Sequence, residues 1–130
     1  MTQQIRVVAA VIRRGDTLLV CQRPAHKRHG GFWEFPGGKC EHAESDVAAI
    51  RRELREELDI ETASVGSSEF EVADAGSPYL IAFIPVIIEA EPRALEHDAL
   101  AWASIRELLE IPLAPSDRRY AEWLGNVTPN

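Results

Sequence analysis

Residues 38–60 read GKCEHAESDVAAIRRELREELDI, and this stretch decides the fold prediction. Its apolar residues recur at spacings of three and four, the period of one face of an α-helix. Ser45 stands before the first of them as a candidate N-cap, and Asp46 suits the positive end of the helix dipole. The stretch therefore predicts an amphipathic helix over residues 45–58. The apolar positions are Val47, Ile50, Leu54 and Leu58.

Three glutamates of this predicted helix, Glu53, Glu56 and Glu57, are spaced i, i+3 and i+4, which places their side chains on one face. We call them the carboxylate triplet and expect them to point away from the core. Such a cluster is either a solvated acidic face or a seat for hard divalent cations, which prefer carboxylate oxygens. Like charges at this spacing repel one another, so the surrounding sequence has to decide between the two.

The triplet belongs to a longer pattern. Gly38 is followed after five residues by Glu44, and Glu44 after seven residues by Arg52-Glu53-Leu54-x-Glu56-Glu57. This spacing resembles the signature of the Nudix hydrolases, in which a glycine stands where this chain has Asp59. That glycine would lie just past the helix end, where a left-handed backbone is common, and aspartate tolerates that conformation better than most residues. The substitution leaves every carboxylate of the pattern in place.

Further segments resemble the MutT branch of the family, and most closely its CTP pyrophosphohydrolase subgroup. They include Trp33-Glu34-Phe35 with the following Pro36-Gly37-Gly38-Lys39, and Leu113-Ala114-Pro115-Ser116-Asp117. The resemblance implies an α/β (α+β) fold, in which a central mixed sheet lies between helices. Residues 1–130 are expected to form one Nudix domain.

The remaining pattern agrees with such a fold. Apolar runs predict several strands, a turn at Gly15-Asp16 predicts a hairpin, and two short helices are expected near the C-terminus. Pro85 lacks an N–H, so its strand should lie at an edge or be bulged there. The predicted strands are 5–14, 17–23, 33–35, 68–74, 79–89 and 100–103, and the predicted later helices are 105–110 and 116–124.

The resemblance implies a Mg²⁺-dependent hydrolysis, with Mn²⁺ as an alternative cation, of a nucleoside triphosphate to monophosphate and diphosphate. The expected substrates are cytidine-type or oxidised nucleotides, such as (d)CTP derivatives or 8-oxo-dGTP. Their removal would belong to nucleotide-pool sanitation and DNA repair. The alternatives are a Nudix hydrolase of ADP-ribose or dinucleoside polyphosphates, and a non-catalytic nucleotide-binding Nudix module.

The resemblance also implies the roles of individual residues. The triplet and Glu96 are the expected catalytic residues and metal ligands, together with the Gly37 carbonyl as a further ligand. The expected substrate contacts combine cations for phosphate with carboxylates for the base. The bracing residues of the motif would be Gly38, Glu44 and Arg52. The substrate contacts would be Arg23, Glu34, Lys39 and Asp117, with Asp117 as a helix cap and Arg23 and Lys39 as solvated surface cations in the alternative.

The chain has 130 residues, with 14 Lys and Arg against 21 Asp and Glu, for a net charge of −7. This balance argues against binding to a nucleic-acid polymer or an anionic membrane. Residues 1–43 carry +4 and residues 44–130 carry −11, so an anionic small molecule stays compatible with the total. Two cysteines outside any CxxC pattern, and no signal-like segment, predict reduced thiols and a cytoplasmic location. We expect a monomer or homodimer.

Overall fold

The strand that organises the fold is β1 (Ile5–Arg14), because it is buried on both faces and pairs with three others. The computed structural model describes residues 3–61 and 63–128. The other strands are β2 (Thr17–Gln22), β3 (Trp33–Glu34), β4 (Gly37–Lys39), β5 (Ala63–Val65), β6 (Phe70–Ala73), β7 (Tyr79–Ile88) and β8 (Ala99–Ser104). The helices are α1 (Asp46–Leu58), α2 (Ile105–Leu108) and α3 (Pro115–Val127).

The sheet is mixed, as predicted. Its main path runs β3-β2-β1-β7-β5, while β4 pairs with β1, β6 with β7 and β8 with β2. β1 and β7 are parallel over eight residue pairs, and the other pairings are antiparallel. Parallel strands of this kind need cover on both faces, which explains why their sequences are continuously apolar.

The two faces of β1 carry two separate cores. Val8, Ala10 and Ile12 join the buried face of α1 in one cluster. Ala9 and Val11 join α2 and α3 in the other, where an aromatic group surrounds Tyr120. The sheet therefore lies between α1 and the C-terminal helices, which confirms the predicted α/β/α sandwich.

Helix α1 begins and ends with the predicted caps. The Ser45 hydroxyl accepts from the Ala48 N–H at 3.1 Å, and Asp59 adopts a left-handed backbone with φ 59° and ψ 38°. The Asp59 N–H donates to the Leu54 carbonyl and closes the last turn. Aspartate thus takes the conformation for which glycine is the usual residue.

Other predictions from the sequence need correction. β7 is not an edge strand, because β1 lies on one side and β5 and β6 on the other. The chain accommodates Pro85 by interrupting the partner strand: β6 pairs with residues 80–83, β5 with residues 86–88, and the Gly66 N–H donates to the Pro85 carbonyl between them. The short strands β4 and β5 carry no hydrophobic period and were not predicted. No helix within the described ranges is long and apolar enough to cross a membrane.

Candidate active site

The glycines before α1 bring the backbone directly under the carboxylates. β4 pairs with β1, opposing Gly37 to Ala9 and Gly38 to Val8. A side chain at Gly37 would clash with the Val8 carbonyl, and one at Gly38 would overlap the Glu53 carboxylate. The Gly37 N–H donates to Glu57 Oε2 at 3.1 Å. Glycine at both positions thus permits contact between strand and helix.

The members of the carboxylate triplet lie in different environments, which corrects the expectation that all three point away from the core. Glu56 is half exposed, whereas the side chain of Glu53 is 14% exposed and that of Glu57 only 5%. Glu57 is counted among the few buried charged residues of the described chain. The triplet therefore extends from solvent into the protein instead of facing solvent throughout.

Burial raises the pKa of the Glu57 carboxyl well above its usual range. The nearby carboxylate of Glu53 adds to this effect, followed by Glu34 and Glu96. Desolvation and like charges both disfavour the ionised form. A proton or a cation must therefore be taken up where Glu53 and Glu57 meet.

Arg52 is held by several acceptors around the triplet. Its Nε and Nη2 donate to the two carboxylate oxygens of Glu44, each at 2.9 Å. Nη1 donates to Glu53 at 2.9 Å, and Nη2 also reaches the Lys39 carbonyl at 3.0 Å. The hydrogen bond from Arg52 is the main cause that lowers the pKa of Glu44 to about 2. Arg52 thus connects Glu44 and the Lys39 carbonyl to helix α1, while its distance to Glu56 is longer, at 3.5 Å.

The loop of residues 89–98 crosses the C-terminal end of α1. The Arg93 N–H donates to the Leu58 carbonyl at 2.9 Å, and the Leu95 N–H donates to the Glu57 carbonyl at 3.0 Å. These bonds use carbonyls that a helix end leaves without partners. Glu96 follows at once, is exposed, and is close enough to Glu57 to raise the pKa of that carboxyl. The loop therefore brings Glu96 to the triplet from a distant part of the sequence.

Glu34 lies on the far side of Glu57 and accepts hydrogen bonds at both oxygens. Arg23 Nη1 donates to Oε1 at 3.1 Å, and His97 Nε2 lies 2.9 Å from Oε2. The same His97 Nε2 is 3.6 Å from Glu57 Oε1. The structure thus brings two predicted substrate residues, Arg23 and Glu34, into one polar network with the triplet.

Asp117 joins this region from the third position of α3. Its Oδ2 accepts from the Phe35 N–H at 2.7 Å, and Ala114 occupies the N-cap position instead. Burial is the main cause that raises the pKa of Asp117 to about 8. Phe35 itself is 4% exposed and packs edge-on against Phe83 and Tyr120, so its ring belongs to the core.

The side chain of Lys39, unlike its carbonyl, has no contact with these groups among those of the described residues. Its ammonium is 5.0 Å from the centre of the Tyr79 ring, and the residue is exposed. An open depression of about 460 Å³ lies near this end of β7, lined in part by Tyr79 and Ser77, and contains none of the predicted site residues.

Sequence reasoning missed His97. Its side chain is 5% exposed and bridges Glu34 and Glu57, but only its position after Glu96 in the sequence could have indicated this. A single histidine in a loop without a metal-ligand spacing carries no signal of its own.

The two cysteines are free thiols, with Cys21 buried and Cys40 partly buried.

The donor groups fit a hard divalent cation. Within residues 3–61 and 63–128, no three acidic, histidine or cysteine side chains converge as a complete set of ligands. Mg²⁺ uses one or two carboxylates and completes its shell with waters and substrate phosphates. The adjacent Glu53 and Glu57 supply such a pair, and Glu57 has no Lys or Arg partner in the described chain.

Comparison with known proteins agrees with this geometry. The NUDIX domain model matches residues 3–124, so the chain belongs to the NUDIX domain family. The CTP pyrophosphohydrolase of Escherichia coli (strain K12) is 44% identical over 118 residues, covering 88% of this chain and 87% of that protein. The 8-oxo-dGTP diphosphatase of Proteus vulgaris is 42% identical over 60 residues, covering 45% of this chain and 54% of that one.

Among solved structures, the MutT protein from Methanosarcina mazei Go1 superposes with a TM-score of 0.79 at 26% identity, covering 96% of this chain and 95% of that one. These findings confirm the predicted family and its MutT branch. They also confirm the predicted kind of enzyme, a hydrolase of phosphorus-containing anhydrides.

Proposed function

We propose that this chain is a Mg²⁺-dependent pyrophosphohydrolase that converts a nucleoside triphosphate to its monophosphate and diphosphate. The observation that carries the proposal is the buried Glu57 carboxylate, which lies beside Glu53 and has no Lys or Arg partner among the described residues. Neither Lys nor Arg of the described chain forms an ion pair with Glu57. A cation supplied with the substrate would balance this charge, and substrate phosphates would complete its shell.

The residues on and around α1 would then have three roles: they bind the cation, accept a proton and position Glu53. Glu53, Glu56 and Glu57 would hold the cation, with the Gly37 carbonyl and Glu96 as further ligands. Bound Mg²⁺ would neutralise phosphate charge and acidify the attacking water. Glu96 is exposed and adjacent to Glu57, a position from which a carboxylate can accept the proton of that water. Arg52 and Glu44 keep Glu53 in place through their own hydrogen bonds.

Glu34 and Asp117 would read the base. Carboxylate oxygens accept from the amino group of cytosine and equally from the N–H groups of an oxidised guanine. Since its pKa is raised to about 8, Asp117 carries a proton at neutral pH and can also donate. Arg23 holds Glu34 through Nη1 and the Arg28 carbonyl through Nε, which leaves its remaining N–H groups for phosphate.

The related proteins support the class of substrate. One is named a CTP pyrophosphohydrolase and another an 8-oxo-dGTP diphosphatase. We propose the same two classes of nucleotide, cytidine-type and oxidised, for this chain. Residues 56–92 contain no Lys or Arg, so nucleotide contacts from β6 and β7 would come from neutral or acidic groups or the backbone. We further propose one Nudix domain over residues 1–130, a cytoplasmic role in nucleotide-pool sanitation and DNA repair, and a monomer or homodimer.

A screen of nucleotides with Mg²⁺ or Mn²⁺, scored by product analysis, tests the function. We expect monophosphate and diphosphate from CTP, dCTP or 8-oxo-dGTP, and no turnover with chelator. Preferred cleavage of ADP-ribose or a dinucleoside polyphosphate would replace the proposed substrate within the same family. Measurable nucleotide binding without any hydrolysis would instead support a binding module.

A further inference from the structure

His97 is held in the protein by its backbone neighbours on both sides. The Leu95 N–H donates to the Glu57 carbonyl at 3.0 Å, and the Asp98 N–H donates to the Gln22 carbonyl at 3.0 Å. The loop is thereby fixed to α1 before His97 and to the end of β2 after it. The imidazole between these anchors is 5% exposed, so its orientation is set by the protein and not by solvent.

The contacts of the imidazole define which atom donates. Nε2 lies 2.9 Å from Glu34 Oε2, and a carboxylate oxygen can only accept, so the proton belongs on Nε2. Nδ1 is buried and has no hydrogen-bond partner within residues 3–61 and 63–128. A buried polar atom without a partner is uncommon and costs stability. The orientation that places Nε2 against Glu34 therefore leaves Nδ1 buried without a hydrogen bond, which lowers the free energy of unfolding.

Glu34 is consequently fixed from two directions. Arg23 Nη1 donates to one oxygen at 3.1 Å, and His97 donates to the other. The Glu34 side chain nevertheless remains 21% exposed, so part of the carboxylate is free to meet a ligand. A carboxylate held in this way presents its remaining lone pairs in one fixed direction, as discrimination between bases requires.

We propose that His97 is a positioning residue for substrate selectivity, which acts by orienting the Glu34 carboxylate toward the base of a bound nucleotide. The inference rests on the proposed function, because it assumes that Glu34 meets the base. His97 Nε2 lies 3.6 Å from Glu57 Oε1, which is farther than its 2.9 Å from Glu34 Oε2. The effect of losing His97 should therefore depend on the identity of the base and not on the phosphates or the cation.

Kinetics of His97→Leu on a panel of triphosphates test the proposal. We expect kcat/KM for the preferred nucleotide to fall by about tenfold or more, mainly through KM, as for loss of a hydrogen bond to a charged group. Nucleotides with poorly accepted bases should change by less than about threefold. His97→Gln retains an N–H donor and should recover most of the loss, and His26→Gln, on an exposed loop, serves as the control.

A double variant decides whether His97 acts through Glu34. In a Glu34→Ala background, which removes the acceptor of His97 Nε2, His97→Leu should cause little additional loss, because the two residues form one unit. Equal losses of kcat on every nucleotide, with an altered Mg²⁺ requirement, would show that His97 serves Glu57 and would overturn the proposal. Thermal unfolding of each variant separates these effects from misfolding.

The imidazole nitrogen resonances of the free protein give a readout that needs no turnover. We expect the Nε2–H tautomer, with both resonances shifted by Glu34→Gln. An Nδ1–H tautomer, or resonances indifferent to Glu34, would refute the positioning role even in an active enzyme. Absence of hydrolysis on the whole panel would refute the proposed function instead, and these resonances would then still decide whether His97 orients Glu34.

Discussion

The two acidic regions of the site differ in how their charge is balanced. On α1, Glu57 is buried beside Glu53, and the arginine that donates to Glu53, Arg52, also donates to Glu44. On the other side, Glu34 has a donor at each oxygen, from Arg23 and His97. The first region holds a buried carboxylate without a Lys or Arg partner in the described chain, which supports the proposed cation, whereas both oxygens of Glu34 in the second region already have partners within the chain.

Among the variants that test this difference, Glu57→Gln should have the largest effect on activity. It removes the buried negative charge that calls for a cation, so we expect Mg²⁺-dependent turnover to fall by on the order of 10²- to 10³-fold. When no metal is bound, the same change should raise the free energy of unfolding, because the raised pKa of Glu57 makes its burial at neutral pH costly, whereas glutamine is neutral. Enzyme assays and denaturant unfolding measure the two effects. Glu61→Gln, an exposed change, is the control, and near-normal turnover of Glu57→Gln would contradict the metal assignment.

Arg52→Lys tests the brace on the same side. Lysine cannot reproduce the two-point contact with Glu44 and the bond to Glu53, so we expect a loss of about 1–3 kcal/mol in the free energy of unfolding. Misplacement of Glu53 should also lower kcat by about 10- to 100-fold. Arg55→Lys provides a matched control, since Arg55 is half exposed and pairs only loosely with Glu61, at 3.3 Å. Similar effects at both arginines would argue against a special role for Arg52.

The Asp117→Asn variant tests the second region through the pH dependence of the free energy of unfolding. Because burial raises the pKa of Asp117 from 3.8 to about 8, the folded state binds this proton more tightly than the unfolded state does. The resulting stability is complete below about pH 4 and is lost as the pH rises toward 8 and above. Asparagine cannot ionise, so the variant should lose less stability than wild type between pH 5 and pH 8.

Denaturant unfolding at several pH values measures this difference, with Asp16→Asn in the exposed β1–β2 turn as control. Parallel curves for wild type and Asp117→Asn would show that Asp117 titrates as an ordinary carboxyl. In the enzyme assay, the variant should raise KM for the preferred nucleotide more than it changes kcat, as expected for a contact to the base.

The smallest effect is expected at the end of α1. Asp59 has φ 59°, a conformation that glycine adopts without strain. Asp59→Gly should raise the free energy of unfolding by about 0.5–1 kcal/mol and Tm by ~2–5 °C. The exposed ion pair with Arg93, at 3.3 Å, offsets little of this gain. Asp59→Ala keeps the strained conformation and should not stabilise, and a calorimetric scan in which both variants behave alike would contradict the explanation.

Local signals in the sequence were sufficient for α1 and its caps. Ser45, the apolar spacing and the position of Asp59 all act within a few residues, and the structure agrees with each. The glutamate spacing likewise placed the triplet on one face of the helix. Its burial could not be predicted in the same way, because the cover over Glu57 comes from the loop 89–98 and from β4, which are distant in sequence.

The same limit explains the other errors. Pro85 indicated a strand that is at an edge or bulged there, but β7 lies inside the sheet, and the chain places a break in its partner strand opposite the proline. His97 acquires meaning only from Glu34 and Glu57, which lie 63 and 40 positions earlier in the chain.

The hydrogen bonds from Arg93 and Leu95 to the last carbonyls of α1 have a consequence for local opening. The loop that carries Glu96 and His97 donates these bonds and the final turn of the helix accepts them, so opening of that turn also removes the protection of the two loop amides. In hydrogen exchange, the amides of residues 93 and 95 should therefore exchange together with those of the last turn of α1, as one cooperative unit. The glutamates at the end of α1 and the loop residues Glu96 and His97 would then become disordered together, and a site with only one of these parts folded would be rare.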